Sequence, residues 1–462
     1  NMLELDKFTT DQLLVIKQQY RMLVPDGILV DRTAIVVTGK PVPVSSRGTH
    51  YETLAEAVEM SDDGQIIVLQ EGHHEAPAGS IILDKRLKIE GIRLPSSVPD
   101  PDDPVPLLKD ADRLKYPDHT TCDLQYDSTL ARVYSDYGAP VFLIVGDGVW
   151  ICGITVSQRL AYKPSHDHMS ACGMGAFCAV DIAGGNVRME EVHVSSDAGI
   201  GVKVHSGANP QFSKCNISFS RQEGLWFGRG ARGSVQDCQI FSCSAANLHI
   251  EGAADPIVYR NKIFQGNACG VRVTEKGMGN FVENQIYNCK RANVRVDDEA
   301  EPIFRSNFIF DGQAEGVSVL DNGLGTFTHN EIHSNASSGV VILSGGDPKM
   351  SNNSIHRNRE HGVYVTGEGC GHIADNDIFQ NLLACVYVDG EDSNPVIFRN
   401  RISNGLGTGI TVCDKARGSI LDNQIFLNKL AGIEVRTEGN PTVRSNRIYE
   451  GLGVGVRVVR AQ

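Results

Sequence analysis

Apolar residues recur along the chain with a period of 23 residues, and each period holds three short apolar groups. The clearest marker of the period is the motif Asn-x-Ile. It begins at Asn261, Asn284, Asn307, Asn330, Asn353, Asn376, Asn400, Asn423 and Asn446, and every step is 23 residues except the 24 from 376 to 400. Cys215-x-Ile217 and Cys238-x-Ile240 extend the series backwards. Such a period predicts a solenoid in which residues 23 apart lie directly above one another.

A second marker follows nine residues after each anchor, where the chain has glycine, or asparagine in its place, before an apolar-x-apolar triplet. Val271-Arg272-Val273 is one such triplet. Alternation of this kind predicts a short strand with its outer two side chains buried and the middle one exposed. Glycine with asparagine as substitute predicts a backbone with positive φ at the marker. Cys385 occupies the same place and does not fit that explanation.

A third marker lies five residues before the anchor and alternates between proline and glycine. Its residues are Pro210, Gly233, Pro256, Gly279, Pro302, Gly325, Pro348, Gly371, Pro395, Gly418 and Pro441. The repeating unit is therefore a pair of coils, 46 residues long. The one extra residue falls in the turn 389–394, where an insertion disturbs no strand.

Each coil therefore offers three strands, one after the Pro/Gly position, one carrying the isoleucine and one formed by the triplet. The fold class predicted is all-β, a right-handed single-stranded parallel β-helix with three sheets, 23-residue coils and a small α-helical N-terminal cap. The anchor asparagines are interpreted as structural, since buried amides in line can hydrogen-bond along the stack.

The predicted domains are a helical segment over 1–48 and the β-helix over 49–462. Thr9-x-x-Gln12 and Thr49-x-x-Glu52 read as capping boxes that open two helices covering the first coil. The chain ends directly after a predicted strand over 456–459, so a partner or further sequence is expected to cover that end.

Two insertions, 94–119 and 157–175, are expected to interrupt the first coils. The first is too rich in proline to join a sheet. The second contains Ser165-His166-Asp167-His168 with Cys172 nearby. A metal site is one interpretation of His-x-His, but no third ligand has a known spacing, so a solvated loop is favoured and no metal is predicted.

Charge and cysteine content narrow the range of functions. The net charge is −13 and basic residues form no run longer than a pair, which argues against nucleic-acid binding. No apolar stretch is long enough to cross a membrane. Twelve cysteines without paired spacing predict reduced thiols, several of them in the core, and hence a cytoplasmic protein. No cofactor is indicated.

The Asn-x-Ile and Gly-Val-x-Val signatures resemble the repeats of the right-handed parallel β-helix superfamily of pectin-lyase-like sugar hydrolases and carbohydrate-binding proteins. Residues 51–91, with Leu54-Ala55-Glu56-Ala57-Val58, are similar to the start of those domains. The resemblance is closest to the intracellular branch of F-box-only β-helix proteins and SHC-binding, spindle-associated proteins. No F-box or zinc-finger segment is present, so a ubiquitin-ligase role is not implied.

By analogy with β-helix enzymes, the sheet formed by the triplets is the expected binding face. Its outward column begins with Lys203, Trp226, His249, Arg272 and Arg295, the predicted binding residues. An aromatic ring beside polar groups suits a groove for sugar or protein, although an ordinary solvated strand face has the same composition.

An enzyme is the alternative hypothesis, with Glu251 and Asp297 as catalytic carboxylates two coils, or roughly 9.6 Å, apart. The chain would then be a polysaccharide lyase, an epimerase or an inverting glycoside hydrolase. The Gly-His-Gly and Arg-Ile-Lys motifs of pectin hydrolases and the Asp-Pro-His-Glu motif of alginate epimerases are missing.

The sequence therefore favours a non-catalytic scaffold or protein-interaction rod. Its expected partners are other proteins, in a filamentous assembly of the cytoskeleton or cilium, with carbohydrate as the alternative ligand.

Overall fold

A computed structural model describes residues 35–37, 50–70, 72–91, 131–136, 139–159 and 177–459. The helix predicted from Thr9 lies outside these residues. So do the first insertion and all but the first three residues of the second, with its histidines. Ser157 and Gln158, placed in that insertion from the sequence, belong instead to the strand Ile154–Gln158.

Three parallel sheets run the length of the described chain, as the repeat predicts. Sheet A contains Ile35–Val37, His50–Tyr51, Ile66–Leu69, Lys88–Gly91, Val149–Cys152, Val187–Glu190, Gln211–Ser213, Arg232–Gln236, Asp255–Tyr259, Asn280–Val282, Ile303–Arg305, Thr326–Thr328, Lys349–Ser351, His372–Ala374, Val396–Phe398, Ser419–Leu421 and Thr442–Arg444.

Sheet B carries the isoleucines, and its strands follow those of sheet A along each coil. They are Gly72–Glu75, Ala131–Ser135, Ile154–Gln158, His193–Ser196, Asn216–Ser218, Gln239–Phe241, Lys262–Phe264, Gln285–Tyr287, Phe308–Phe310, Glu331–His333, Ser354–His356, Asp377–Phe379, Arg401–Ser403, Gln424–Phe426 and Arg447–Tyr449.

Sheet C is formed by the triplets and closes each coil. Its strands are Ile81–Leu83, Phe142–Ile144, Cys178–Ile182, Ile200–Val204, Leu225–Phe227, Leu248–Ile250, Val271–Val273, Val294–Val296, Val317–Val319, Val340–Ile342, Val363–Val365, Val386–Val388, Ile410–Val412, Ile433–Arg436 and Val456–Val459. The extra residue of the 24-residue coil leaves the register intact, because Ile373 still pairs with Ile397.

One helix is described, α1 (Leu54–Met60), and it covers the first coil as expected. Leu54, Ala57 and Val58 are buried in the same core as the strands. The cap differs from the prediction. Thr53, not Thr49, is the N-cap, and its hydroxyl accepts a hydrogen bond from the backbone N–H of Glu56. No helix of the described residues is long and apolar enough to span a membrane.

The anchor asparagines form the predicted ladder. Asn307 is 1% exposed, its Nδ2 donates to Oδ1 of Asn330 at 3.0 Å and to the carbonyl of Phe281 at 3.0 Å, and its Oδ1 accepts from Asn284. The pattern repeats from Asn261 to Asn446. Each amide thus satisfies backbone groups that the corner of the coil would otherwise leave buried and unpaired.

The glycines of the second marker do not have positive φ, so the reason inferred from the sequence was wrong. They are required by close packing instead. A Cβ on Gly339 would lie 2.6 Å from Nδ2 of Asn358 and 2.8 Å from the carbonyl oxygen of Gly362. Positive φ belongs to the third marker, where Gly233 and the other glycines alternating with proline have φ between +102° and +146°.

The same packing explains Cys385. Each second-marker residue faces a cavity between its own coil and the coil above. In most coils a side chain of the coil above fills this cavity, as Asn358 does over Gly339. At Cys385 the side chain comes from the lower coil, and the residue facing it in the coil above is Gly405. A Cβ on Gly405 would lie 2.8 Å from the Cys385 sulfur. Asn293 pairs with Gly312 in the same way. One side chain per cavity is the rule, from either coil.

Ten cysteines fall among the described residues and all are free thiols. Eight of them are buried, including Cys215 and Cys238, which continue the asparagine ladder at its lower end. Burial raises the pKa of Cys243, Cys289 and Cys385 to about 12. These thiols therefore act as small core side chains and are poor nucleophiles.

Sheet B also carries a column of outward aromatic rings, which the repeat markers did not predict. Seven rings stack with centroids 4.6–5.3 Å apart, at Phe241, Phe264, Tyr287, Phe310, His333, His356 and Phe379. Because each ring covers the face of the next, the column stabilises the stacking of the coils.

Replacing Asn307 with alanine is expected to lower the free energy of unfolding by about 1–3 kcal/mol, because the Phe281 carbonyl and the Asn284 N–H lose their buried partner. Denaturant unfolding followed by circular dichroism measures the change. The control is Asn280→Ala, an exposed asparagine on sheet A, for which we expect a change within about 0.5 kcal/mol. Equal effects of the two substitutions would contradict the ladder's role.

Candidate functional site on sheet C

The five predicted binding residues lie in one vertical column on the outer face of sheet C. Lys203 is in register with Trp226, Trp226 with His249, His249 with Arg272, and Arg272 with Arg295. Each lies between two buried apolar residues of its strand, which point into the core. We call this column the sheet C strip.

Trp226 is half-buried and lies against its own coil. A Cβ on Gly228 would collide with the edge of the indole at 2.3 Å, so glycine at that position leaves room for the ring. The Lys203 ammonium lies 4.9 Å from the centre of the indole, and the His205 ring meets it edge-on at 6.0 Å. His205 is itself held by Asp181, whose Oδ1 lies 2.7 Å from its Nε2.

His249, in the coil after that of Trp226, lies between two carboxylates, one from each coil. Its Nδ1 is 3.5 Å from Oε1 of Glu223, and its Nε2 is 3.7 Å from Oε2 of Glu251. Burial alone raises the pKa of the Glu223 carboxyl, but the hydrogen bond and charge of His249 and the charge of Arg272 outweigh it, and the pKa falls below its ordinary value. Glu223 is therefore ionised at neutral pH.

Arg272 and Arg295 share one carboxylate. Asp297 is 1% exposed, and its Oδ2 accepts from Nη2 of Arg272 at 3.2 Å and from Nε of Arg295. Burial alone raises the pKa of the Asp297 carboxyl, but the hydrogen bond from Arg295 and the charges of both arginines hold it below its usual range. The two guanidinium groups remain part-exposed and are fixed in orientation.

Of the two carboxylates proposed as catalytic from the sequence, only Glu251 is accessible. Asp297 lies beneath the arginines, and the two carboxylates contact different cations. Their action as a pair stays a prediction. Glu223 was missed because it precedes the triplet, at a corner position that in neighbouring coils holds Ala246 or Cys269.

A second polar cluster lies further along sheet C. Tyr364 donates a hydrogen bond to Oδ2 of Asp389 at 3.0 Å, and the Tyr387 hydroxyl accepts from Arg436 at 3.1 Å and from Cys413 at 3.2 Å. Burial raises the pKa of Tyr387 to about 12.

One group of possible metal ligands is found among the described residues, in this second cluster. Ligand atoms of Asp389, Cys413 and Asp414 lie within 4.8 Å of one another. Burial raises the pKa of the Cys413 thiol, and Arg436 places a positive charge beside it. Both effects disfavour a cation there.

A family model for the right-handed β-helix region matches residues 178–323 and 294–448. The chain belongs to this family. The match covers the coils that carry the sheet C strip and those of the second cluster. Among curated proteins, no sequence match is found.

Solved structures similar to this β-helix include the A-module of an Azotobacter vinelandii mannuronan C-5 epimerase, at 13% identity and a TM-score of 0.38, covering 88% of this chain and 94% of that one. The Dettilon tailspike protein has 11% identity and a TM-score of 0.39, covering 92% and 68%. The catalytic domain of a GH87 α-1,3-glucanase with tetrasaccharides has 12% identity and a TM-score of 0.36, covering 95% and 70%. These likenesses say nothing about what this β-helix binds.

Asp297→Asn is expected to lower the free energy of unfolding at neutral pH by about 1–3 kcal/mol, because two charge-assisted hydrogen bonds weaken. The lowered pKa of Asp297 sets the sign of the pH dependence. Its contribution is present above the ordinary aspartate pKa and is lost as the pH falls through the folded-state value.

The difference between wild type and variant should therefore shrink as the pH falls below about 4. Denaturant unfolding at several pH values measures it. Asp311→Asn, at an exposed aspartate, is the control. A difference that stays constant with pH would contradict the assignment.

Proposed function

We propose that this β-helix is a carbohydrate-active protein that binds an acidic saccharide along the sheet C strip. The observation that supports the proposal is the combination, on one column, of an indole beside a lysine and of two arginines fixed by a shared buried carboxylate. The indole offers an apolar ring to a sugar face, and the cations suit carboxylate groups on the sugars.

The spacing of the strip suits a linear polymer. Arg272 lies two coils from Trp226 and Arg295 lies three, which corresponds to roughly 9.6 and 14 Å along the axis. A saccharide chain lying along the column would contact the indole and both guanidinium groups at once. Preoriented arginines lose little side-chain freedom on binding, so their contribution to affinity is larger.

Trp226→Ala is expected to weaken binding to acidic polysaccharide about tenfold, which corresponds to roughly 1.4 kcal/mol. The probes are alginate, polygalacturonate and carboxymethylcellulose, with dextran as the neutral comparison, in affinity gel electrophoresis. The matched control is Tyr259→Ala on sheet A, where Arg260 lies 4.5 Å from the tyrosine ring. Failure of all three acidic polymers to bind, or equal retardation of the Trp226 and Tyr259 variants, would count against the proposal.

A second candidate function, a protein-interaction rod, is favoured by one observation. In the last coils of the β-helix, a group of leucines is exposed at the corner between sheets B and C. Each is 43–54% exposed, and they are Leu382, Leu383, Leu406, Leu427 and Leu430. We call this group the leucine patch. Earlier coils have Arg359 and Glu360, or Lys290 and Arg291, at the places of Leu382 and Leu383. Contiguous exposed apolar side chains mark interaction surfaces.

In this second candidate, the partner is another protein, in a cytoplasmic or cytoskeletal assembly. This candidate includes the predicted relationship to the F-box-only β-helix proteins and the SHC-binding, spindle-associated proteins.

The double variant Leu406→Asp/Leu430→Asp is expected to lose protein partners recovered by affinity purification, because charge in an apolar interface costs binding energy. Quantitative mass spectrometry compares it with wild type and with Ile257→Asp, which alters an isoleucine 55% exposed on sheet A. If all three proteins recover the same partners, the leucine patch is not an interaction surface.

A further inference from the structure

Leucine and glycine alternate along one column of the corner that carries the leucine patch, with the two-coil period of the repeat. Leu383, Gly407, Leu430 and Gly453 occupy the same place in four successive coils. The two leucines are 43% and 54% exposed. They lie two coils, or roughly 9.6 Å, apart along the axis. This column therefore presents projecting leucines separated by gaps at a fixed spacing.

The gaps are required by the coil below. A Cβ on Gly407 would lie 2.6 Å from the carbonyl carbon of Leu383, and one on Gly453 would lie 2.5 Å from the carbonyl carbon of Leu430. Contacts this short with backbone atoms cannot be relieved by moving a side chain, so only glycine fits there. The alternation of leucine and gap is thus a built feature of this corner.

Leu427, another residue of the leucine patch, is not explained by the stability of the fold. Its φ is +53°, a left-handed conformation that a leucine adopts at a cost. Its side chain is 44% exposed, so burial does not offset that cost. Asn404 has the same conformation at the same place in the preceding coil, where asparagine is the better suited residue. A strained and exposed leucine indicates a role in contacts with another molecule.

We propose that the leucine patch joins two copies of this chain in an antiparallel dimer, with a twofold axis between the coils of Leu406 and Leu430. The inference rests on the second candidate function, the protein-interaction rod, and names a second copy of the chain as the partner.

The alternating column is its own complement when the order of the coils is reversed. With the axis in this place, Leu383 faces Gly453 of the second copy, and Leu430 faces Gly407 of the second copy. Each leucine enters a gap, as close packing of an interface requires. Because the contact is isologous, the same pairs form again with the two copies exchanged. Parallel copies in register would instead place leucine against leucine and gap against gap.

The neighbouring column fits the same axis. It contains Leu382, Leu406, Lys429 and Leu452 in successive coils. Leu382 faces Leu452 of the second copy, so two apolar side chains meet. Leu406 faces Lys429 of the second copy, whose aliphatic stem can lie on the leucine while its ammonium group reaches solvent.

The size of the contact sets the expected affinity. Four coils extend over roughly 19 Å along the axis. An interface of this length is at the small end of specific protein interfaces, where complexes are weak and transient. We therefore expect a dimer with a dissociation constant of micromolar order.

Sedimentation equilibrium of the whole chain across the micromolar range tests the dimer. Leu430→Asp should weaken it by at least about tenfold, because each copy would place a charge in an apolar gap. Ile257→Asp is the matched control, since this isoleucine on sheet A is 55% exposed, and it should leave the dissociation constant unchanged. Circular dichroism checks that each variant is folded.

The variants Leu406→Glu and Leu406→Lys test the position of the axis. Because Leu406 faces Lys429 of the second copy, glutamate gains an ion pair across the axis, whereas lysine meets a like charge. The Leu406→Glu dimer should be at least about tenfold tighter than the Leu406→Lys dimer. General repulsion between two chains of net charge −13 would give the opposite order.

Three results would overturn the inference: a wild-type chain that stays monomeric, a dimer that Leu430→Asp does not weaken, and a Leu406→Lys dimer as tight as that of Leu406→Glu. Growth beyond the dimer would overturn it too, since an open assembly is not twofold. If wild type is monomeric but Leu406→Asp/Leu430→Asp loses other proteins in affinity purification, the inference fails and the second candidate function stands. If wild type is monomeric and no partner is lost, both fail.

Discussion

The structure depends on the hydrogen bonds that pass from the buried corner of one coil to the next. At each corner the backbone turns away from its sheet partners, and its polar groups are buried where water cannot reach them. The asparagine amide supplies a donor and an acceptor at that point, so Asn284, Asn307 and Asn330 bind both the turn and each other. An amide two residues out of register would leave several of these groups unpaired. The ladder therefore sets the 23-residue register.

A fixed register converts the chain into vertical columns, and each column has its own chemistry. Inward columns hold isoleucine, valine and phenylalanine, and the corner columns obey a volume limit that admits one side chain per cavity. Outward columns are free of both limits. That freedom is why an aromatic column can form on sheet B and a mixed column of charges and an indole on sheet C without any change to the core.

The sequence predicts well those positions whose role is set by the repeat itself. The three strands per coil, the asparagine ladder and the sheet C strip all follow from residues recurring 23 apart. The sequence did not predict the role of residues whose surroundings come from two different coils. The glycine at 339 was assigned to positive φ, but its real neighbour is Asn358 of the next coil. The cysteine at Cys385 is explained by Gly405 of the next coil, which leaves room for the sulfur.

Contacts between coils also decide the candidate site, and the sequence does not show them. Arg272 and Arg295 were placed in one column correctly, but a column of residue types does not reveal that Asp297 lies beneath both of them. Two like charges one strand spacing apart repel each other. The buried carboxylate of Asp297 contacts both guanidinium groups and offsets that repulsion, whereas Glu251 contacts His249 and remains part-exposed. In a stacked fold the electrostatics of each residue are decided by the coils above and below it, so neighbours 23 to 26 residues away determine which carboxylate is structural and which is available to a ligand.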